Sequence, residues 1–309
     1  MLEHSAAIAA LLALEAGAQG QVRVSALQGG TFTLPKKFFV SGATNEEFTR
    51  VPSLSFLLTQ TRGADRRHKR TLFDLGLRRD ISTYTPEIQD HLKERLPIQT
   101  TPDVLHILTD SGLKANDIDQ VILSHVHWDH IGTPSDFPQA KFLVGAGSLS
   151  LLERGINGHM SHSNFQHDLF QDLDVTELSE PNSWDLMGGL RMLELGDSGL
   201  VYVVDSPGHL MGHISLLVRT GCRKWAWLIG DACHDKRLLT GEQSIAEWID
   251  SEGRTCCIHM DKAKATETLE IFAIWKRASE ECDVALDIIF AHDVEWAESH
   301  ADAFLPGAL

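Results

Sequence analysis

The sequence predicts an α/β protein in which two related halves each contribute a sheet. Strand-like and helix-like segments alternate along the 309 residues, a pattern typical of this class. A predicted hairpin whose second strand ends at an aspartate occurs once in each half. Each half then contains a predicted helix and an apolar strand that ends in histidine. Sandwiched halves of this kind would bring their polar strand ends together along one edge.

The two predicted hairpins have similar sequences. In the first half, residues 55–59 (SFLLT) are followed by a basic turn and by residues 71–76 (TLFDLG), which contain Asp74. In the second half, residues 215–219 (SLLVR) lead through another basic turn to residues 225–231 (WAWLIGD). Asp74 and Asp231 are therefore expected at equivalent strand ends.

Two continuous apolar runs predict strands that are buried on both faces. Residues 119–125 (DQVILSH) end at His125, and residues 287–292 (DIIFAH) end at His292. Because each run follows a predicted helix, the two histidines are expected at matching positions of the two halves.

Helices are predicted at about 86–96, about 101–112 and about 261–281. Proline near the start of the first two costs little, because the first amide of a helix has no partner within it. The apolar run 6–14 predicts a further helix packed on the domain. We expect one domain over residues 1–309, with halves at roughly 50–195 and 196–295 and an N-terminal extension, 1–49.

Two segments are predicted as covering loops. Residues 155–185 contain glycines, many polar residues and three histidines, His159, His162 and His167. Residues 29–52 place Phe32, Phe38, Phe39 and Phe48 among Gly, Pro and Lys. Long loops of this kind are often functional.

Composition excludes several classes of function. The net charge of −16 argues against a nucleic-acid partner, which needs a basic surface. Five cysteines without scaffold-like spacing predict thiols in a reducing compartment. The N-terminal apolar run stops at Glu15 and lacks a basic start, so it predicts neither a membrane span nor a secretory signal. We therefore expect a cytoplasmic protein with no membrane partner.

The strongest chemical signal is the segment 124–132, SHVHWDHIG. It places four potential metal ligands, His125, His127, Asp129 and His130, directly after an apolar strand. A tight turn at a strand end can aim alternate side chains at one point and the next pair at a second point. Imidazole and carboxylate ligands suit zinc, and also manganese, iron or cobalt.

This pattern resembles the HxHxDH signature of the metallo-β-lactamase superfamily. Residues 205–209 (DSPGH) resemble the turn that carries its third histidine, His209. Residues 229–231 (IGD) resemble the strand end with its bridging aspartate, and residues 290–293 (FAHD) resemble its final histidine. The intervals are 84, 22 and 61 residues (209−125, 231−209 and 292−231), in the family's order. The resemblance spans roughly residues 50 to 295 and implies an αββα sandwich, with two mixed sheets face to face and helices outside.

The resemblance also implies two divalent metal ions, with zinc as the first choice. His125, His127 and His209 would bind one ion, and Asp129, His130 and His292 would bind the other. Asp231 would bridge them. Asp74 is expected to accept a hydrogen bond from a ligand imidazole and to fix its tautomer.

Among family branches, the resemblance is nearest to the lactonases that open N-acyl-homoserine lactones. Those enzymes have a tyrosine three residues after the bridging aspartate, whereas this sequence has His234. We expect His234 to donate a hydrogen bond to a developing oxyanion. Trp128 and Phe48 are expected to contact substrate, and His213 is expected to be structural.

The implied reaction is attack of a metal-bridging hydroxide on the carbonyl of a cyclic ester. Asp129 would carry the proton to the leaving oxygen. Aromatic residues near the site favour a hydrophobic or aromatic lactone. A homodimer is common among related enzymes, although no residue here demands one.

Other readings share the same ligands. A glyoxalase-II-like or polyketide-type thioesterase and a lactam or cyclic carbamate hydrolase would use the same two-metal attack. A tRNA-processing phosphodiesterase is disfavoured by the acidic charge. A diiron flavoprotein would have glutamate at the position of His127. A non-catalytic metal-binding module would be free to lose ligands, yet all seven are present.

Overall fold

The first sheet grows from the predicted hairpin of the first half. A computed structural model describes residues 2–62, 67–156 and 164–309, and in these residues the sheet has six strands in sequential order. The first three strands pair antiparallel, and the later ones pair parallel. The strands are β1 (Arg23–Pro35), β2 (Phe48–Arg62), β3 (Arg67–Phe73), β4 (Gln120–Ile122), β5 (Lys141–Val144) and β6 (Val175–Glu177).

The second sheet contains the predicted hairpin of the second half. Within the described residues it too has six strands, in the order β14-β11-β10-β9-β8-β7. The last strand, β14, pairs parallel with β11, as β4 does with β3 in the first sheet. Two further short strands, β12 and β13, pair with each other. The strands are β7 (Asp185–Met187), β8 (Leu190–Glu194), β9 (Val201–Asp205), β10 (Ile214–Gly221), β11 (Lys224–Leu228), β12 (Trp248–Ile249), β13 (Thr255–Cys256) and β14 (Ala285–Ile289).

The helices cover the outer faces of the sheets, and all four predicted helices are present. The N-terminal helix packs on the long helix before β14, as its apolar face requires. No helix in the described parts of the chain is long and apolar enough to span a bilayer. The helices are α1 (Leu2–Gly17), α2 (Pro86–Leu92), α3 (Val104–Asp110), α4 (Ser148–Arg154), α5 (Lys236–Leu239), α6 (Lys262–Glu281) and α7 (Val294–Ser299).

Successive side chains of each strand point to opposite faces of the sheet, and this divides the core into layers. One apolar cluster fills the space between the sheets and includes Phe56, Ile122, Leu216 and Leu228. Residues of the opposite strand faces, such as Leu72, pack in a second cluster with helical residues. The predicted αββα sandwich is therefore confirmed.

The prediction of a covering loop at 29–52 was wrong over half of its length. Strand β1 continues to residue 35, and β2 begins at residue 48. The register of β1 against β2 shifts between Gln28 and Thr31, so Gly29 and Gly30 form a bulge rather than a break. Gly30 has φ +114°, and a Cβ there would lie 2.6 Å from a side-chain carbon of Leu77.

The boundaries of the predicted halves also need correction. The extension 1–49 supplies α1 and β1, and β1 is a full member of the first sheet. The second sheet begins with β7 at residue 185, so the two sheets divide before residue 195. The predicted loop 155–185 contains β6, and two of its histidines, His159 and His162, lie outside the described residues.

Candidate metal centre

Strand ends from both sheets meet at one edge of the sandwich and carry the candidate ligands. In the first sheet, β3 and β4 run parallel and lead to Asp74 and to the segment 124–132. In the second, β11 and β14 also run parallel and lead to Asp231 and His292. The loop after β9 adds His209. The carboxyl ends of parallel strands share one sheet edge, and this places residues far apart in sequence side by side.

One cluster of donor atoms consists of His125, His127, His209 and Asp231. The four ligand atoms lie within 4.8 Å of one another, and all four residues are buried. Nδ1 of His127 lies 2.9 Å from Nε2 of His125 and 3.0 Å from Nε2 of His209.

A second cluster consists of Asp129, His130, Asp231 and His292, again with all ligand atoms within 4.8 Å. Nε2 of His292 lies 3.4 Å from Oδ2 of Asp129, and Nε2 of His130 lies 3.9 Å from the same oxygen. The structure therefore brings together all seven residues that the sequence predicted as metal ligands.

Asp231 belongs to both clusters and faces each with a different oxygen. Its Oδ2 lies 3.8 Å from Nε2 of His125 and 3.5 Å from Nε2 of His209. Its Oδ1 lies 3.2 Å from Nε2 of His130 and 3.1 Å from Nε2 of His292. A carboxylate in this position can contact two ions at once.

The donor chemistry fits divalent cations. Burial lowers the pKa values of His125 and His209 well below 6.5, so both rings are neutral. Nε2 of His125 and Nε2 of His209 both face Nδ1 of His127, which holds either one proton or one lone pair and so cannot pair well with both. A cation among the three nitrogens would accept a lone pair from each. In the second cluster, burial opposes the proton on His130, but Asp231, Asp129 and Asp74 raise its pKa well above 6.5. The carboxylates of this cluster carry more negative charge than the available protons neutralise, and a metal ion would offset the excess.

Residues behind the donors fix their orientation. Nδ1 of His130 donates to Asp74 at 2.8 Å, as expected. Asp74 also accepts the backbone N–H of Ser124 at 2.7 Å and its hydroxyl at 2.8 Å. Nδ1 of His292 donates to the carbonyl of Pro52 at 2.8 Å. Sequence reasoning missed Ser124 and Pro52, although Ser124 directly precedes the histidine motif.

His213 is structural, as expected. Its Nδ1 donates to the carbonyl of Ser206 at 3.0 Å, and its Nε2 accepts the backbone N–H of Asp231 at 3.1 Å. Burial lowers its pKa to about 4, so the ring stays neutral and keeps this tautomer.

The donor clusters open into a cavity of about 60 Å³. Trp128 and His234 line it, in the position expected for substrate contacts. Phe39 and His234 also line an adjoining cavity of about 510 Å³. Phe48, which we also predicted to contact substrate, is 58% exposed and lies outside the lining of both cavities, whereas Phe39 lines both.

His234 contacts the first cluster directly. Its Nε2 lies 3.1 Å from Oδ2 of Asp231, and its ring lies 4.9 Å from that of Phe39. His209, His234 and His259 also place nitrogens within 4.8 Å of one another. No sequence motif pointed to His259, which lies in the connection between β13 and α6.

The fold, and the two clusters of metal-ligand residues at the sheet edge, are those of a metal-dependent hydrolase. A family model described as "Metallo-beta-lactamase superfamily" matches residues 69–224, which is half of the chain. The chain belongs to the metallo-β-lactamase superfamily.

Two fungal relatives cover only part of this chain. "Cytochrome P450 monooxygenase mpaDE" of Penicillium roqueforti is 30% identical over 181 residues, which is 55% of this chain and 21% of that protein. "Gamma-lactamase FDB1" of Fusarium pseudograminearum is 29% identical over 192 residues, which is 59% of this chain and 45% of that protein. The match therefore spans less than half the length of either relative.

Among solved structures, the fold matches that of an N-acyl homoserine lactone hydrolase with the product N-hexanoyl-L-homoserine bound at its catalytic metal centre. The TM-score is 0.69 at 18% identity, and the match covers 94% of this chain and all of that one (100%). At this identity the likeness establishes the fold.

Proposed function

We propose that the protein hydrolyses a cyclic ester at a pair of divalent metal ions. The observation that carries this proposal is the position of Asp231, whose two carboxylate oxygens face two separate clusters of imidazole and carboxylate donors. Clusters that share one carboxylate are the arrangement that a two-ion site needs.

Seven residues of this chain would hold the ions. His125, His127 and His209 would bind one, Asp129, His130 and His292 would bind the other, and Asp231 would contact both. A set rich in neutral imidazole favours zinc, with manganese, iron and cobalt as alternatives. When bound, the two ions would supply hydroxide at neutral pH and polarise a carbonyl group.

His234 would donate a hydrogen bond to the oxygen that gains charge as the ring opens. Its side chain is only 2% exposed, and its Nδ1 is buried without a hydrogen-bond partner among the described residues. A buried polar nitrogen without a partner is costly, and a substrate oxygen would satisfy it.

Asp129 would carry a proton to the leaving oxygen. Its carboxylate is buried and lies 3.4 Å from Nε2 of His292. Burial raises its pKa, but the charges of His130 and His292 outweigh burial and lower it below 3.8. The carboxylate is therefore ionised before it receives a proton.

The residues that line the cavity favour a small apolar or aromatic substrate. Phe32, Leu34, Phe39 and Trp128 surround the donors, and Phe32 meets Trp128 edge to face at 5.0 Å. These side chains exclude water and offer flat apolar contact. The product bound in the structurally similar lactone hydrolase is also a small molecule.

A γ-lactam is the second candidate substrate. The relative from Fusarium pseudograminearum is a γ-lactamase, and opening a cyclic amide uses the same attack on a carbonyl. The difference lies in the leaving nitrogen, which needs a proton as its bond breaks. Asp129 would deliver one in either reaction.

The test is hydrolysis of a substrate panel by metal-analysed protein. The panel contains an aliphatic lactone, an aromatic lactone, a γ-lactam, a cyclic carbamate and an acyl thioester. We expect about two ions per chain and fast lactone opening that is lost in Asp129→Ala. The matched control is Asp90→Ala, because the side chain of Asp90 is 74% exposed and does not line the cavity. Preference for the lactam, carbamate or thioester would reassign the substrate, and no turnover by the two-metal protein would reject it.

A further inference from the structure

Arg95 is a buried cation in the wall of the donor cavity. It ends the 3₁₀ turn Lys93–Arg95 that follows α2, and only 7% of the residue is exposed. It lines the same cavity as His127, Trp128 and Asp129. Its Nη1 is buried without a hydrogen-bond partner in the described part of the chain.

The charge of Arg95 has no close counterion. Among the described residues, no carboxylate forms an ion pair with it, whereas Asp129 already lies against His130 and His292. Burial lowers the pKa of the guanidinium, and the carboxylates of Glu94 and Asp129 oppose this only in part. A buried guanidinium without a partner is strongly unfavourable.

His91, which lines the same cavity, does not offset the charge of Arg95. Burial lowers the pKa of His91 to about 4, and the charge of Arg95 contributes, so this ring is neutral at pH 7. The ring of His91 packs edge to face on Trp128 at 5.9 Å. The carboxylates in the described cavity lining are Asp129 and Asp231, and both belong to the donor clusters. A bound anion would therefore give Arg95 a partner that the carboxylates of the donor clusters do not provide.

We propose that Arg95 binds a carboxylate that the substrate carries in addition to its scissile ring ester. This inference rests on the proposed function, since it places the substrate at the donor clusters. The guanidinium fork matches a carboxylate with two parallel hydrogen bonds. The cavity of about 60 Å³ beside the donors has room for a compact group of this size. The substrate class is then an anionic lactone rather than a neutral acyl lactone.

The test compares a carboxylated lactone with its neutral ester. The substrates are 5-oxotetrahydrofuran-3-carboxylate and its methyl ester, used with metal-loaded protein. We expect wild type to prefer the acid, and Arg95→Met to lower kcat/KM for the acid by about 100-fold, as for loss of a buried charge-assisted pair. The methyl ester has no carboxylate to pair with Arg95. Its turnover should therefore change less than about 3-fold, as is usual for a substitution that removes no specific interaction.

Lys93→Met is the matched control. It removes a cation from the same turn, but the side chain of Lys93 is 73% exposed and outside the cavity lining. It should leave the preference for the acid unchanged. Equal loss for acid and ester in Arg95→Met would show that Arg95 only maintains the fold, and would overturn the proposal.

A binding measurement separates this inference from the proposed function. The probe is 3-oxocyclopentane-1-carboxylate, in which carbon replaces the ring oxygen so that hydrolysis cannot occur, with its methyl ester as the neutral control. Calorimetry on wild type should give at least tenfold tighter binding of the acid, even if no lactone is turned over. If wild type binds acid and ester equally, the proposal is rejected whether or not Arg95→Met folds.

Discussion

Asp74 and His130 are joined by a 2.8 Å hydrogen bond from Nδ1 of the ring to Oδ2 of the carboxylate. Oδ2 also accepts the hydroxyl of Ser124, and Oδ1 accepts its backbone N–H. The ring of His130 is thereby fixed with Nε2 directed at Asp231, 3.2 Å away. Two residues 56 positions apart thus set the geometry of the second donor cluster.

Asp74→Ala should weaken metal binding in the second cluster by about 10–100-fold, the usual cost of losing the partner of a ligand imidazole. The ring of His130 would lose both its orientation and the charge that makes it a good ligand. Metal analysis after dialysis against a weak chelator should find about one ion per chain instead of two. Asp90→Ala is the exposed control. Unchanged metal content in Asp74→Ala would show that Asp74 has no role in binding.

His213→Ala should lower the free energy of unfolding by about 3 kcal/mol, because it leaves a buried donor and acceptor unpaired and opens a cavity. The groups affected are the backbone N–H of Asp231 and the carbonyl of Ser206. Urea unfolding of the metal-free protein measures the change. The exposed His68→Ala should change stability by less than about 0.5 kcal/mol. Equal effects of the two substitutions would contradict a structural role for His213.

Local sequence was sufficient to predict the donors. His125, His127, Asp129 and His130 lie within six residues, so one turn brings them together. The strands that end near Asp231 and His292 were recognisable as buried apolar runs, and parallel pairing then placed their ends at one edge. The order of these motifs along the chain, which resembles that of the family, led to the prediction of the remaining donors.

The cavity walls were not predictable in the same way. Arg95 follows a short helix in the β3–β4 connection, and its place in the cavity wall depends on how that connection packs in the folded protein. Its sequence neighbours are charged and exposed, and they are typical of a solvated turn. The bulge at Gly29 and Gly30 was also missed, because the glycine pair was interpreted as the start of a loop, although glycine inside a strand often marks a bulge. That bulge lets β1 continue to Phe32 and Leu34 in the cavity wall.

His234→Ala should lower kcat for the lactone by about 100–1,000-fold while both ions stay bound, as expected for loss of one hydrogen-bond donor to a developing charge. His234→Tyr should recover part of the rate, because a phenol also donates. Rate and metal content must be measured on the same preparation. Because His234 also lies with His209 and His259 in a third group of nitrogens, loss of an ion in His234→Ala would make it a ligand instead.

Chelation should destabilise the folded protein. Nδ1 of His127 lies 2.9 Å from Nε2 of His125 and 3.0 Å from Nε2 of His209, and without a cation these nitrogens face one another directly. A ligand that binds only the native state at 100 times its Kd contributes about 2.7 kcal/mol. Thermal unfolding before and after chelation, and again after zinc is restored, measures the effect. An unchanged Tm would mean that the donors hold no ion in the native protein.

Glu15 anchors the N-terminal helix α1 to the second sheet. Its Oε1 accepts Arg219 Nη2 at 2.5 Å and the backbone N–H of Arg223 at 2.9 Å, and its Oε2 accepts the indole N–H of Trp225 at 3.1 Å. The hydrogen bond from Arg219 is the main cause that lowers the pKa of Glu15 to about 2. Because the folded pKa lies below the unfolded value, this stabilisation is present above about pH 4.5 and is lost as the pH falls towards 2.

Glu15→Gln should therefore lower the free energy of unfolding at pH 7 by about 1–3 kcal/mol, since it leaves the buried part of Arg219 without its counterion. The difference from wild type should shrink as the pH is lowered from 4.5 towards 2, because wild type loses the same charge. Urea unfolding across this range measures both effects. Glu3→Gln is the control on the same helix, since Glu3 is exposed. A difference that stays constant with pH would show that packing of α1, and not the Glu15 charge, holds the helix in place.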